Sequence, residues 1–114
     1  MALPPDVLAG AETALKQFCE AHSSPAGTDQ PRYAYEVETN SILLIEQRPG
    51  FMKPEELTSK PIAKFRYSQA RDTWTLYWVD TSERWHRVTS VPAAKDIQVL
   101  LQAVLTDSSG VFWS

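Results

Sequence analysis

Apolar side chains along this chain recur with two different periods, and the change from one to the other marks where helix gives way to sheet. From Pro5 to about His22, Val7, Leu8, Ala11, Ala14, Leu15, Phe18 and Cys19 return at three- and four-residue spacing, which lays one apolar stripe along an amphipathic helix. Pro4 and Pro5 suit its first turn, where a missing amide hydrogen costs nothing. The turn-rich run from Ser23 to Pro31 ends the helix and reads as an exposed connection.

A period of two then takes over. Tyr33, Tyr35 and Val37 alternate with Ala34, Glu36 and Glu38 over residues 32–38, and a second run at 41–47 follows across Thr39 and Asn40. A hairpin results, with Val37 facing Ile42 and Tyr35 facing Leu44. Residues 48–61 carry Gly50 and three prolines beside Phe51, Met52, Glu55 and Glu56, and read as the longest loop. Strands are predicted again at 62–67, 72–80 and 84–89. Turns at 68–71 and 80–83 set Phe65 opposite Trp74, Trp78 opposite Trp85, and His86 opposite Tyr77. One face then collects Ala63, Phe65, Tyr67, Trp74, Leu76, Trp78 and Trp85 as core. The other collects Lys64, Arg66, Thr73, Thr75, Tyr77, Arg84 and His86. A one-residue slip would exchange the faces, so a strongly apolar face should pin the register. Beyond Pro92 the helical period returns over about 93–106, with Ile97, Leu100, Leu101, Val104 and Leu105 on one stripe. Gly110 lies past its end, and Phe112 and Trp113 are expected to tuck in after it.

The pattern predicts a single two-layer α+β domain over 1–114: an N-terminal helix, a five-stranded antiparallel meander and a C-terminal helix. Each helix has a single apolar stripe, so both are expected on one sheet face, leaving the other wet.

Charge sharpens that picture. The chain carries a net charge of −3, but residues 1–59 hold four Lys or Arg against nine Asp or Glu, whereas residues 60–90 hold six against three. Positive charge is therefore concentrated on the aromatic strands. The overall acidity argues against a dedicated duplex-DNA binder, while a local basic face still attracts anions over a Debye length of about 8 to 10 Å. The longest apolar run, Ile42 to Ile45, is far below the roughly 18 residues of a membrane-spanning helix. No secretory leader is evident at the N-terminus, so a cytoplasmic location is expected. Cys19, the only cysteine, rules out an intramolecular disulfide and a cysteine-based zinc site.

The run Pro61-Ile62-Ala63-Lys64-Phe65-Arg66-Tyr67, followed by Trp74-x-Leu76-Tyr77-Trp78, Trp85-His86 and Gly110-x-Phe112-Trp113, resembles a small, mostly proteobacterial family known only as a domain of unknown function. The resemblance covers Glu46 and Arg48-Pro49 through the C-terminus and leaves the first helix unmatched. Relatives carry Trp in the loop after Arg-Pro and Tyr after Trp-His, where this chain has Phe51 and Val88. It implies a bacterial origin and supplies no activity, substrate or catalytic residue.

The residues themselves offer little catalytic chemistry. His86 is the best single candidate, since its ordinary pKa lies near neutrality, but the register above sets no carboxylate beside it to orient the ring. Cys19 and His22 stand three apart on the first helix; two ligands do not make a metal site, and core packing accounts for them. Glu55 with Glu56 and Glu36 with Glu38 read as solvated pairs. No glycine-flanked nucleophile and no phosphate loop is present. The tentative binding set is Lys64, Arg66, Arg71, Tyr77, Arg84 and His86, which combines phosphate-pairing groups with a stacking ring. Only one outward aromatic, Tyr77, weakens that reading, because stacking platforms usually offer two or three. The leading expectation is a non-enzymatic protein-interaction or self-association domain, with an unknown protein partner or a homo-oligomer, no membrane, no cofactor, no metal and no assigned catalytic residue. The alternative is an anion or single-stranded nucleic-acid binder, and a third reading is an enzyme using His86.

Overall fold

A computed structural model describes residues 3–22, 32–49 and 57–106. Helix α1 spans Pro5–His22 and is followed by strands β1 (Arg32–Val37), β2 (Ser41–Pro49), β3 (Leu57–Ser68), β4 (Thr73–Val79) and β5 (Trp85–Arg87), then by helix α2 (Ile97–Thr106). The strands form one antiparallel sheet in the order β1-β2-β3-β4-β5. This is the two-layer α+β architecture that the alternating periods predict.

Both helices lie on one face, α1 over β1 and α2 over β3 and β4. Their apolar stripes meet the inward side chains of the sheet. Leu15, Ile42, Leu44, Phe65, Leu76, Leu100 and Val104 are fully buried there. The chain enters α1 tied to the first hairpin, because the Leu3 amide donates to the Thr39 carbonyl at 2.9 Å. Helix α2 begins at Ile97 rather than near 93. Asp96 caps it, accepting the Gln98 amide on Oδ1 at 2.9 Å, which satisfies one of the orphan donors of the first turn. The residues before the cap are held in extended form, since Ala94 exchanges two backbone hydrogen bonds with Trp74, of 2.7 and 3.0 Å.

The first hairpin has the predicted pairing, Val37 with Ile42 and Tyr35 with Leu44. The loop predicted over 48–61 is shorter: β2 runs to Pro49 and β3 starts at Leu57. Proline removes a ladder donor and is tolerated in a sheet at edges and bulges. Pro61 sits at such a place, where the β2–β3 register shifts between Leu44, paired with Ala63, and Ile45, paired with Pro61. The shift leaves Ile62 as the extra residue, and Ile62 and Ala63 are both buried. Phe51, Met52, Glu55, Glu56, the connection after His22 and the ending with Gly110, Phe112 and Trp113 lie outside the described residues.

The predicted pairings of the last three strands need two corrections of different weight. Trp74 pairs with Tyr67, and Phe65 with Leu76, a shift of two residues that preserves the faces. Between β4 and β5 the shift is one residue: Trp78 pairs with His86 and Val79 with Trp85, and Tyr77 opposes Arg87. Every side chain of β5 therefore changes face. Trp85 leaves the core set, and His86 leaves the wet face.

Candidate binding face

The turn between β4 and β5 produces that exchange. The Glu83 amide donates to the Asp80 carbonyl at 3.0 Å, the Asp80 amide donates to the Arg84 carbonyl at 2.9 Å, and Glu83 adopts a left-handed φ of 63°. This is a three-residue loop closed by a bulge, a position where glycine is usual and a glutamate hides the signal. The Asp80 carboxylate locks it: Oδ1 accepts the amides of Ser82 and Arg84 at 2.8 and 2.9 Å.

With β5 in this phase, the sheet face turned away from the helices carries a row running Glu36, Leu43, Lys64, Tyr77, Arg87 across all five strands. Beside it lie Ser41, Arg66 and Thr75 on one flank, and Ile45, Pro61, Val79 and Trp85 on the other. Leu43, Ile45, Tyr77, Val79 and Trp85 are half-buried, while Arg66 and Arg87 are exposed. The Lys64 ammonium lies 5.7 Å from the centre of the Trp85 ring and 3.8 Å from Glu38 Oε1. Its charge is thus shared between a cation–π contact and a solvent-screened ion pair.

Three of the six residues singled out from the sequence, Lys64, Arg66 and Tyr77, come together on this face. Arg71 is exposed in the β3–β4 turn and Arg84 in the β4–β5 loop. His86 points to the helix side, where its ring stacks on Trp78 with centres 4.7 Å apart. Trp85 and Arg87 are the open-face residues that the sequence reading missed. The signal available for them is Asp80-x-Ser82, an aspartate able to cap a short turn.

His86 does have a carboxylate partner, contrary to the register expected from sequence. Its Nε2 lies 2.7 Å from Asp80 Oδ2. The hydrogen bond from His86, with that from the Arg84 amide, holds the Asp80 carboxyl below the usual aspartate range. Neither of two clefts beside the helices includes this pair. The larger, about 360 Å³, is lined by Asp6, Gly10, Tyr67, Asp72, Trp74 and Lys95 among others, and the smaller, about 230 Å³, lies between Phe18 of α1 and Leu101 and Leu105 of α2. In the larger, the Tyr67 hydroxyl donates to Asp72 Oδ1 at 2.5 Å. That bond, burial and the charges of Asp72 and Asp6 push the phenol up to about 12.

Cys19 is a buried thiol, pushed up to about 11 by burial and by the charge of Glu20, so it is a poor nucleophile at neutral pH. The side chain of His22 lies outside the described residues. Among the described residues no group of three or more His, Cys, Asp or Glu is arranged to hold a metal ion. No helix among them is long and apolar enough to cross a membrane.

These features define the chain as a small α+β domain with one sheet face covered by the helices and the other, among the described residues, left open. It belongs to the family described as Domain of unknown function (DUF3024), whose model matches residues 4–114. The match takes in α1 as well as the sheet, so the family extends over the first helix that the sequence motifs left unmatched. No curated protein and no solved structure matches the chain.

Proposed function

We propose that this chain is a non-enzymatic binding domain, an interaction or self-association module in the broad sense, which works through the open face of its sheet. The observation that carries the proposal is the adjacency of Leu43, Ile45, Tyr77, Val79 and Trp85 on the face opposite both helices. A wet face of an antiparallel sheet is ordinarily polar. Contiguous apolar and aromatic side chains rimmed by charge are the composition of a partner surface. A bacterial, cytoplasmic setting fits the unpaired, buried Cys19.

A second reading, binding of an anion or single-stranded nucleic acid, draws on the arrival of Trp85 and Arg87 beside Tyr77, Lys64 and Arg66. The enzyme reading draws on the Asp80–His86 pair alone, which lines neither of the two clefts beside the helices.

Lysine footprinting tests the main proposal. Amine-reactive labelling of the purified chain is compared with labelling inside cells of the source organism. Selective protection of Lys64 in cells, with Lys16 of α1 and Lys95 before α2 unchanged, is the expected result. Equal protection of all three, or none, removes the open face as the working surface.

A further inference from the structure

We infer that the occupant of the open face is single-stranded nucleic acid, bound without strong sequence preference; this rests on the proposal that the open face is the working surface.

The distribution of charge on the face supports this choice. Lys64 and Arg66 stand on β3, the central strand, and Arg87 stands on β5. The acidic residues Glu36 and Glu38 belong to β1 and its turn, at the opposite edge, from which the Glu38 carboxylate reaches Lys64. Two copies stacked face to face about an axis along β3 would set Lys64 against Lys64 and Arg66 against Arg66 on the central strand, with Glu36 of each facing Arg87 of the other at the edges. An axis along the cross-strand row would set Glu36 on Glu36 and Arg87 on Arg87. The first arrangement opposes like charges along the central strand and the second opposes them at both edges. A polyanion lying over β3 to β5 meets Arg66 and Arg87 directly, and at Lys64 it displaces the solvent-screened contact with Glu38.

Ring placement separates a nucleic acid from an acidic protein. Tyr77 opposes Arg87 while Trp85 opposes Val79, so the two rings are diagonal neighbours on adjacent strands. Such neighbours lie roughly 7 to 8 Å apart at their backbones, within reach of large rings. Successive unpaired bases stack on aromatics presented in this way, with cations alongside for the phosphates. The span from β3 to β5 is about 10 Å, which brings Lys64 and Arg87 to opposite sides of Tyr77. Base edges find no dedicated donor and acceptor set here, so stacking and charge set the affinity.

Fluorescence anisotropy of a labelled poly-dT strand of about 20 nucleotides, titrated with the full chain, tests the inference. Three phosphate contacts predict binding weakened about twentyfold between about 50 and 200 mM salt. Tyr77→Ala and Trp85→Ala should each weaken binding about tenfold or more, while Arg66→Gln should lower the salt slope by about 0.7. Arg87→Glu, an exposed change that leaves the core untouched, should abolish binding with the amide spectrum of α1 and α2 unaltered. Absence of binding at low salt, or affinity indifferent to Trp85→Ala and Arg87→Glu together, overturns it. Tighter binding of a poly-glutamate peptide than of poly-dT at the same face also overturns it, in favour of an acidic protein. Protection of Lys64 in cells with no poly-dT binding would leave the open face standing and remove the nucleic acid alone.

Discussion

Asp80 and His86 are joined at 2.7 Å across the base of the β4–β5 hairpin, in the register that places Trp85 and Arg87 on the open face. One oxygen of the carboxylate holds the turn amides and the other holds the imidazole. The sequence neighbours of His86 thus lie on the open face, which the pair itself does not reach.

The lowered pKa of Asp80 gives the pair a pH signature. An aspartate favoured as the anion in the folded chain adds stability above its unfolded value of about 4, and that stability is lost as pH falls through the lower folded value. Asp80→Asn should be less stable than the parent at neutral pH and converge with it at an acid pH below that lowered folded value. Urea denaturation at the two pH values checks this. A constant difference between parent and variant would mean that the carboxylate's charge contributes nothing.

Tyr67 should act at the other end of the pH scale. Its hydrogen bond to Asp72, its burial and the nearby carboxylates raise the phenol to about 12, so the folded chain prefers the protonated form. The sign is opposite to that of Asp80: stability is fully present below about 10 and declines as pH rises through 12. Spectrophotometric titration of the four tyrosines should show one late step, absent in Tyr67→Phe and moved to lower pH in Asp72→Asn. Four phenols titrating together would contradict the buried bond.

Two tryptophans distinguish the covered face from the open one. Trp74 is 3% exposed and packs on Tyr67 with ring centres 5.1 Å apart, beneath the cluster that joins sheet and helices. Trp74→Ala should cost about 3 to 5 kcal/mol, the range for deleting a large core ring. Trp85 is half-buried on the other face and its truncation should cost about 1 kcal/mol or less. Equal losses in thermal or urea denaturation would return Trp85 to the core, in the phase that alternation alone suggests.

That contrast shows what alternation in a sequence determines and what it leaves open. The sides of β2, β3 and β4 were legible because Ile42, Leu44, Phe65, Leu76 and their neighbours form an unbroken apolar set, and a two-residue error in pairing leaves faces intact. The strand 84–89 carries Trp85, His86, Arg87 and Val88 in an order that fits either phase. The turn decides, and its bulge residue is a glutamate where a glycine would have announced it. Pro61 misled in a similar way: it lies inside a paired strand because the ladder shifts there. The basic part of the candidate site was visible from composition, whereas the second aromatic of the open face depended on a turn that local sequence states weakly.

Gly10 offers a test of packing on the far side of the molecule. It lies in the middle of α1, at the rim of the larger cleft, and a Cβ built there meets nothing within 4 Å. Glycine in a helix interior loses more backbone freedom on folding than alanine does, by roughly 0.5 to 1 kcal/mol. With no steric cost to offset that gain, Gly10→Ala should stabilise the chain by about that amount. The urea midpoint should rise at unchanged slope, since neither the folded core nor the surface exposed on unfolding is altered appreciably. A loss of stability would show that the space above Gly10 is filled in solution, and the binding face across the sheet should be indifferent to the change in either case.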